Sequence, residues 1–396
     1  RKMSMNIILA DSNRNDLLPF TFIRPVAEIR CGILTITEKW HHLSGTPCSW
    51  LTEKYLSTKY SLTKEKVNLI ANASVLIDKA LFNEVKTLKT GQALVKGNTV
   101  IAVCTEQQQF ESLEDVSYSE AFETGLEVNV IKYPWDIFRF NDKAINSDFQ
   151  LITEGRKSAD YDSSNTIINE QQVFIEDGAK VMCSIINASA GPVYIGRDSE
   201  IMEGCMIRGP FALGAHASLK MGAKIYGATT IGPHCKVGGE VNNSVIFGYS
   251  NKAHDGFLGN AVIAEWCNLG ADTNNSNLKN NYGLVKAYNY HKKDYINTGL
   301  QFCGLMMGDH SKAAINTMFN TGTVTGICAN IFGSGFPPKF IPSFAWGGFD
   351  DESFFQLDKA LELAAEVYKR RDLFFDKKEQ DIINHVNMLE LILPKN

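Results

Sequence analysis

Long apolar runs are missing from this sequence of 396 residues, and none approaches the length that spans a bilayer. The opening run Asn6–Ala10 is too short for a signal peptide. A basic excess is missing as well: 39 Lys and Arg against 44 Asp and Glu leave a net charge of -5. That balance argues against nucleic acid or an anionic membrane as the main partner. The nine cysteines are odd in number and contain no C-x-x-C, so neither a disulfide framework nor a zinc ribbon is expected. Through the middle of the chain the period-two alternation of ordinary half-buried strands is absent. What these absences leave is a cytoplasmic protein of two or three domains, its composition of 44% hydrophobic residues sufficient for a large core. Arg1 and Lys2 precede the first methionine, which reads as a start inside a longer chain or behind a cloning remnant.

What the middle of the chain has instead is a period of six. Ile195, Ile201, Ile207, Leu213, Leu219, Ile225, Ile231 and Val237 recur at that spacing. Four positions after each comes Ser199, Cys205, Phe211, Ala217, Ala223, Thr229, Cys235 or Val241, most of them small. Neither a helix nor a flat strand produces this period. It is the hexapeptide pattern of a parallel β-helix, with the aliphatic inside the prism, the small residue at the corner, and stability coming from neighbouring rungs. Cys205 and Cys235 then read as small core hydrophobes in a reducing compartment. Hexads begin at Ile175, break at Asn187–Pro192 for an external loop, run on to Asn242, and slip in phase there. His216 and His234 lie eighteen residues apart at the same hexad place, so a coil of three hexads stacks them on the outer surface. Zinc-binding prism enzymes such as γ-type carbonic anhydrases use histidines there. No third ligand stands at matching spacing, which favours surface or interface histidines over a metal site.

Before the repeat, apolar runs at Asn6–Ala10, Val67–Ala71, Ala93–Cys104 and Leu126–Ile131 alternate with helix-compatible segments, as in an α/β domain. Tyr133–Tyr161 reads as a connector with a short helix near Trp135–Asn141. After the repeat, Phe336–Trp346, rich in proline and aromatics, reads as a cap over the open end of the solenoid. Helices follow, the first starting at Asp350–Glu352 with Phe354, Leu357, Leu361, Ala364 and Tyr368 on one face, the second with Ile382, Val386 and Leu389.

Two resemblances follow from particular residues. Leu9–Pro25 (LADSNRNDLLPFTFIRP) resembles the signature of sugar-1-phosphate nucleotidyltransferases, with Pro19, Thr21, Arg24 and Pro25 in register. Ser12 and Arg14 stand in place of its glycines, Asp16 in place of its arginine, and Val26 in place of its lysine. Glycines let backbone N–H groups approach a triphosphate, and basic residues offset its charge. The resemblance therefore implies UTP or dTTP as substrate, with Arg14, Arg24 and Arg30 supplying replacement charge and Asp136 holding Mg²⁺. The opening R-P-V…T-I-T-E-K-W is similar to that of a divergent Bacteroidetes-like branch of this family.

The stretch Glu240–Asn281 resembles the acetyltransferase region of bifunctional N-acetylglucosamine-1-phosphate uridyltransferase/glucosamine-1-phosphate acetyltransferases, and Gly209–Ala212 (GPFA) recurs in bacterial members. In that family E-x-K, H-L-x-Y-x-G-D, N-I-G-A-G-T and C-N-Y follow in order. The resemblance makes His254 the catalytic histidine, Glu240, Asn242, Asn268 and Asn277 substrate-site residues, and Gly270 and Ala271 the backbone that approaches acetyl-CoA. Asn242 stands where a sugar-phosphate lysine is expected and Phe257 where a tyrosine is, so the acceptor differs from glucosamine-1-phosphate by this reading. Histidine suits the work as a general base of near-neutral pKa, and amides bind hydroxyls or an oxyanion without competing as bases. Asp309, His310 and Ser311 fall at the acetyl-CoA end by resemblance, or are turn residues.

The expected architecture is thus an α/β, Rossmann-like nucleotidyltransferase domain over 5–148 and a left-handed parallel β-helix acyltransferase over 165–335. The cap and C-terminal helices follow over 336–396. The resemblance implies a homotrimer acting on a sugar phosphate and a nucleotide. Acetyltransferase activity alone, or a non-catalytic nucleotide-sugar-binding scaffold, are the other readings open to the sequence.

Overall fold

The computed structural model describes residues 5–349 and 353–392, so the acidic start expected at 350–352 lies outside the described residues. Strands β1 (Asn6–Ala10), β2 (Cys48–Leu51), β3 (Asn68–Asn72), β4 (Gln92–Lys96), β5 (Thr99–Thr105) and β6 (Glu120–Glu123) form one sheet in the order β2-β1-β3-β5-β4-β6. β2, β1 and β3 pair in parallel, β5 runs antiparallel to both β3 and β4, and β6 pairs in parallel with β4 at the edge. The apolar run at Ala93–Cys104 is therefore two strands of a hairpin turning at Gly97 (φ 55) rather than one. Leu126–Ile131 forms no strand beyond one bridge between Val75 and Val130, and the edge is taken by β6, whose four side chains are all exposed.

Helix α1 (Ile36–Ser44) starts at Thr35, whose hydroxyl accepts from the Glu38 N–H while the Glu38 carboxylate accepts from the Thr35 N–H. It stops at Gly45 in the left-handed region (φ 69). After α2 (Lys79–Val85) and α3 (Asp136–Arg139), the segment read as a connector is largely a helix, α4 (Asn141–Thr153). Its Asn, Asp and Ser content disguises a helical stripe of buried Ala144, Ile145, Asp148, Phe149 and Ile152.

From Thr166 to Gly347 the chain winds a three-sided, left-handed parallel β-helix. Its first face begins with strands Thr166–Ile168, Ile185–Asn187 and Met206–Arg208, and the second and third faces each carry nine strands. All eight aliphatics of the six-residue series are at most 2% exposed. Each such burial is worth about 1.5–3 kcal/mol. The phase slip has a structural cause. Ile225 pairs with Val241, Ile231 with Ile246 and Val237 with Lys252, so two corners have lost residues and Val241 has become an inward residue rather than a corner one. The segment read as a cap is itself part of the solenoid: Phe340–Ile341 and Trp346–Gly347 pair with the preceding coil.

The three faces have different neighbours. The second is covered by the N-terminal part, with Ile145, Phe149 and Ile152 of α4 packed on Phe174, Ala212 and Ala228. One hydrophobic core runs from Ile7, Leu9 and Phe20 into Phe247, Met306 and Val324 of the solenoid. Helices α5 (Leu357–Lys369) and α6 (Lys377–Ile392) brace the junction, with the Tyr368 ring 4.0 Å from Trp266 and His385 stacked 4.2 Å from Tyr55. In α6 the buried face is Ile382, Ile383 and Val386, while Leu389 is exposed. The first face carries exposed Ile185 and Met206 in register, beside Met182 and Met221 at its corner.

Candidate functional site

The loop after β1 is folded onto itself, half-buried over residues 11–16 and buried from Pro19 on. Arg14 and its neighbours form a single turn of 3-10 helix where the signature has glycines. The Arg14 guanidinium lies 3.1 Å from Asp11 and 2.7 Å from the Tyr55 hydroxyl, and donates to the carbonyls of Thr21 and Arg24. Asp11 also accepts from the Val26 N–H at 2.9 Å and the Thr52 hydroxyl at 2.6 Å. Burial raises the Asp11 pKa against those donors. Arg24, 4% exposed, makes a two-pronged ion pair with Asp309, which is 0% exposed, and donates to the Phe20 carbonyl at 2.9 Å. Burial works against the Arg24 charge, yet the Asp309 carboxylate wins and holds its pKa above the ordinary range. Asp309 sits in a turn between two solenoid strands, and its carboxylate anchors the signature loop to the solenoid.

Arg30 is buried too, 2.5 Å from the Ile33 carbonyl and 3.5 Å from Glu38. Neither Arg14, Arg24 nor Arg30 offers a free guanidinium to a phosphate. Asp16 is held from the solenoid side, by Asn289 at 3.1 Å and His291 at 3.3 Å, on a hairpin inserted after the seventh coil begins. Asp136 accepts the N–H groups of Lys132 and Tyr133 at 2.9 and 3.0 Å and is 4% exposed, with burial raising its pKa. Both of these bonds go to Oδ2, and among the described residues no three His, Cys, Asp or Glu come together to hold a metal.

The other predicted cluster is open. Because Asn251 pairs with Asn268, residues 254 and 271 take the same place in successive coils, at the corner between third and first faces. The Asp272 N–H donates to the Asp255 carbonyl at 2.9 Å, fixing that register. His254, Asp255 and Asp272 are exposed, and the His254 ring has no hydrogen-bond partner among the described residues. Next to this corner, Glu240 and Asn242 point outward from the first face around inward Val241. The Tyr226 hydroxyl donates to Glu240, and that bond pushes the phenol up to about 12.

Phe257 pairs with Glu240 and Gly259 with Asn242 on the next coil. A Cβ at Gly259 would lie 2.5 Å from the Phe257 ring and 2.8 Å from Asn277 Nδ2, so only glycine lets the ring lie across the face. Asn277 Nδ2 donates to Asn260 at 2.9 Å. The result is a patch over three successive rungs: His254 and Glu240 at one edge, Phe257 across it, Asn242 and Asn277 at the other. Asn268 is not part of it, because it points outward from the third face in line with Asn251 and Lys312. Gly270 is also explained otherwise, since a Cβ there would meet the Ile315 N–H nitrogen at 2.6 Å. Ala271, whose carbonyl takes the Asn316 N–H at 2.8 Å, leads along the corner to Ile315, 68% exposed.

The sequence reading missed Phe257 as a platform and Lys252 beneath the corner. A hydrophobic place filled by lysine was the available signal for the second. It also saw only the start of a ring ladder: His216, His234, Tyr249 and Trp266 stack at 4.9, 4.7 and 4.4 Å, and His310 follows at 6.3 Å. His310 is 4% exposed with neither ring nitrogen hydrogen-bonded, and burial holds its pKa well below the ordinary value.

Residues 6–157 match the model of a family described as sugar nucleotidyl transferase. No curated protein matches the chain in sequence. Among solved structures the chain is similar to the polySia-specific acetyltransferase NeuO, at 12% identity and TM-score 0.24 over 52% of this chain and 94% of that one. It is also similar to the UDP-N-acetylglucosamine acyltransferase of Francisella novicida, at 13% identity and TM-score 0.25 over 57% of this chain and 88% of that one. The Arabidopsis UDP-N-acetylglucosamine acyltransferase gives 14% identity and TM-score 0.20 over 60% and 99%. Scores this low carry no argument, and the solenoid rests on the strand pairing of this chain itself. Among the described residues no helix is long and apolar enough to cross a membrane.

Proposed function

We propose that the chain is an acetyl-CoA-dependent amino-sugar N-acetyltransferase whose site is the His254 corner, joined to a nucleotidyltransferase-like domain whose signature loop is latched shut. The observation that carries this is the exposed, unpartnered His254 ring beside outward Glu240 and one rung from Ala271. Bound acetyl-CoA would supply the thioester carbonyl, with its arm along Ala271 and the exposed Ile315. His254 takes a proton from the amine as the C–N bond forms and returns it to the sulfur as the C–S bond breaks. Glu240, Asp255 and Asp272 draw a protonated amine to the corner before that proton is lost. Phe257 offers its ring face to the apolar side of a pyranose, and Asn242 and Asn277 offer amides to its hydroxyls. The acidic surroundings and the absent lysine at Asn242 favour an acceptor with less negative charge than a sugar phosphate.

A cytoplasmic homotrimer, with neighbouring chains meeting along the bare first face, belongs to the same proposal. Exposed Ile185, Met206 and Met221 support it. The match over 6–157 favours a second reading, in which the same chain also transfers a nucleotide from UTP or dTTP with Mg²⁺. That reading requires Arg14 and Arg24 to leave their present partners. The test is thiol release from acetyl-CoA with glucosamine and glucosamine-1-phosphate offered separately: release with either, lost in His254→Ala, supports the proposal, and full release in the variant would refute it. Light scattering reads the assembly, and a monomer would contradict the trimer.

A further inference from the structure

We infer that Lys252 is a positioning residue for His254, clamping the corner from inside the prism. The inward column of the third face runs Val181, Ile201, Leu219, Val237, Lys252, Leu269, Ala313 and Ile331, one lysine among aliphatic residues. Lys252 is 3% exposed. Burying an ammonium in an apolar column is costly, and well-packed apolar residues of similar volume are commonly as stable or more so. Stability therefore gives no reason for a lysine at this place.

Its contacts supply one. Nζ donates to the His254 carbonyl at 2.7 Å and to the Gly238 carbonyl at 2.9 Å, tying together two successive corners at their backbones. Gly239 leaves room for it, since a Cβ there would sit 2.7 Å from Nζ. Glu240, Asp255 and Asp272 face the ammonium from the same corner and favour its charge. Burial outweighs them and lowers its pKa to about 8, which leaves it mostly charged at neutral pH. With no side chain holding the His254 ring among the described residues, the direction of that ring depends on its backbone, and Lys252 fixes the carbonyl of that very residue.

This inference rests on the reading of His254 as the base, and the test separates the two. Lys252→Met keeps length and removes both donors. It should still fold, with a melting temperature within a few degrees of wild type because relief of the buried ammonium offsets the two carbonyls left without a donor, lower kcat for thiol release about 10- to 100-fold, and leave the KM for acetyl-CoA within about twofold. In ¹³C-histidine-labelled full-length protein, the His254 Cε1–H signal, identified by its absence in His254→Ala, should shift or broaden in Lys252→Met while the other histidine signals stay. A kcat within twofold of wild type, or an unmoved His254 signal, overturns the inference. Full activity in His254→Ala instead overturns the reading of the site, and the positioning role with it, even where the signal moves.

Discussion

Two stretches of this chain resemble functional motifs, and the fold treats them in opposite ways. In Leu9–Pro25 both arginines are engaged by the protein, Arg14 by Asp11, Tyr55 and carbonyls and Arg24 by Asp309, while Asp16, where the signature has an arginine, is held by Asn289 and His291. In the Glu240–Asn277 cluster Glu240, Asn242 and Asn277 stand on the outer surface with one neighbour each, Tyr226, Asn243 and Asn260, and the exposed His254 ring has none among the described residues. The lesson is that a motif is an inventory of groups, and what decides its use is how many of them the fold has left uncommitted. A buried arginine paired with a buried carboxylate is a poor ligand, because releasing it leaves Asp309 charged without its counter-ion in a dry core.

The sharpest way to break the contrast is at the open end. His254→Ala should lower thiol release about 10²- to 10⁴-fold, since general base catalysis supplies that much. Its thermal unfolding should stay within about 0.5 kcal/mol of wild type, because the side chain is exposed and touches no partner. At the closed end the effects reverse. Arg24→Met, followed by urea unfolding, should cost about 3–5 kcal/mol, because it strands Asp309. It should leave acetyl transfer in the still-folded protein within a fewfold of wild type. If Arg24→Met were as stable as wild type, the latch would not be closed in solution.

The ring ladder adds a pH dependence. His310 is neutral when folded and takes a proton when unfolded, so stability is fully present above about pH 6.5 and falls as pH drops below it. His310→Phe should keep the stack against Trp266 and Tyr368 and remove that slope, as read by melting temperatures from pH 7.5 to 5. The smallest effect belongs to the far end of the ladder. His216→Ala, at an exposed ring, should change stability by less than about 0.5 kcal/mol.

The solenoid was readable in the sequence because each coil repeats the same local demand, an aliphatic inside and a small residue at the corner. That regularity carries Ile195 to Val237 without any long-range information. It failed at Val241, where shortened corners turned a corner residue inward, and at Asn141–Thr153, where polar composition hid the stripe of α4. For the sites, the open cluster was legible save for Asn268, which a strand only two residues long places on another face. The fate of Arg24 was not legible, because its partner lies 285 residues away and only the docking of the two parts brings them together. Lys252 and Phe257 gain meaning from register across coils, which spacing alone does not supply.

The central claim is that the corner is chemically open and the signature loop is not. One reaction mixture tests it directly: wild-type protein with acetyl-CoA, glucosamine, N-acetylglucosamine-1-phosphate, UTP and Mg²⁺, with free thiol and pyrophosphate followed separately. The account predicts thiol release without pyrophosphate. Pyrophosphate release without thiol would contradict it at both ends.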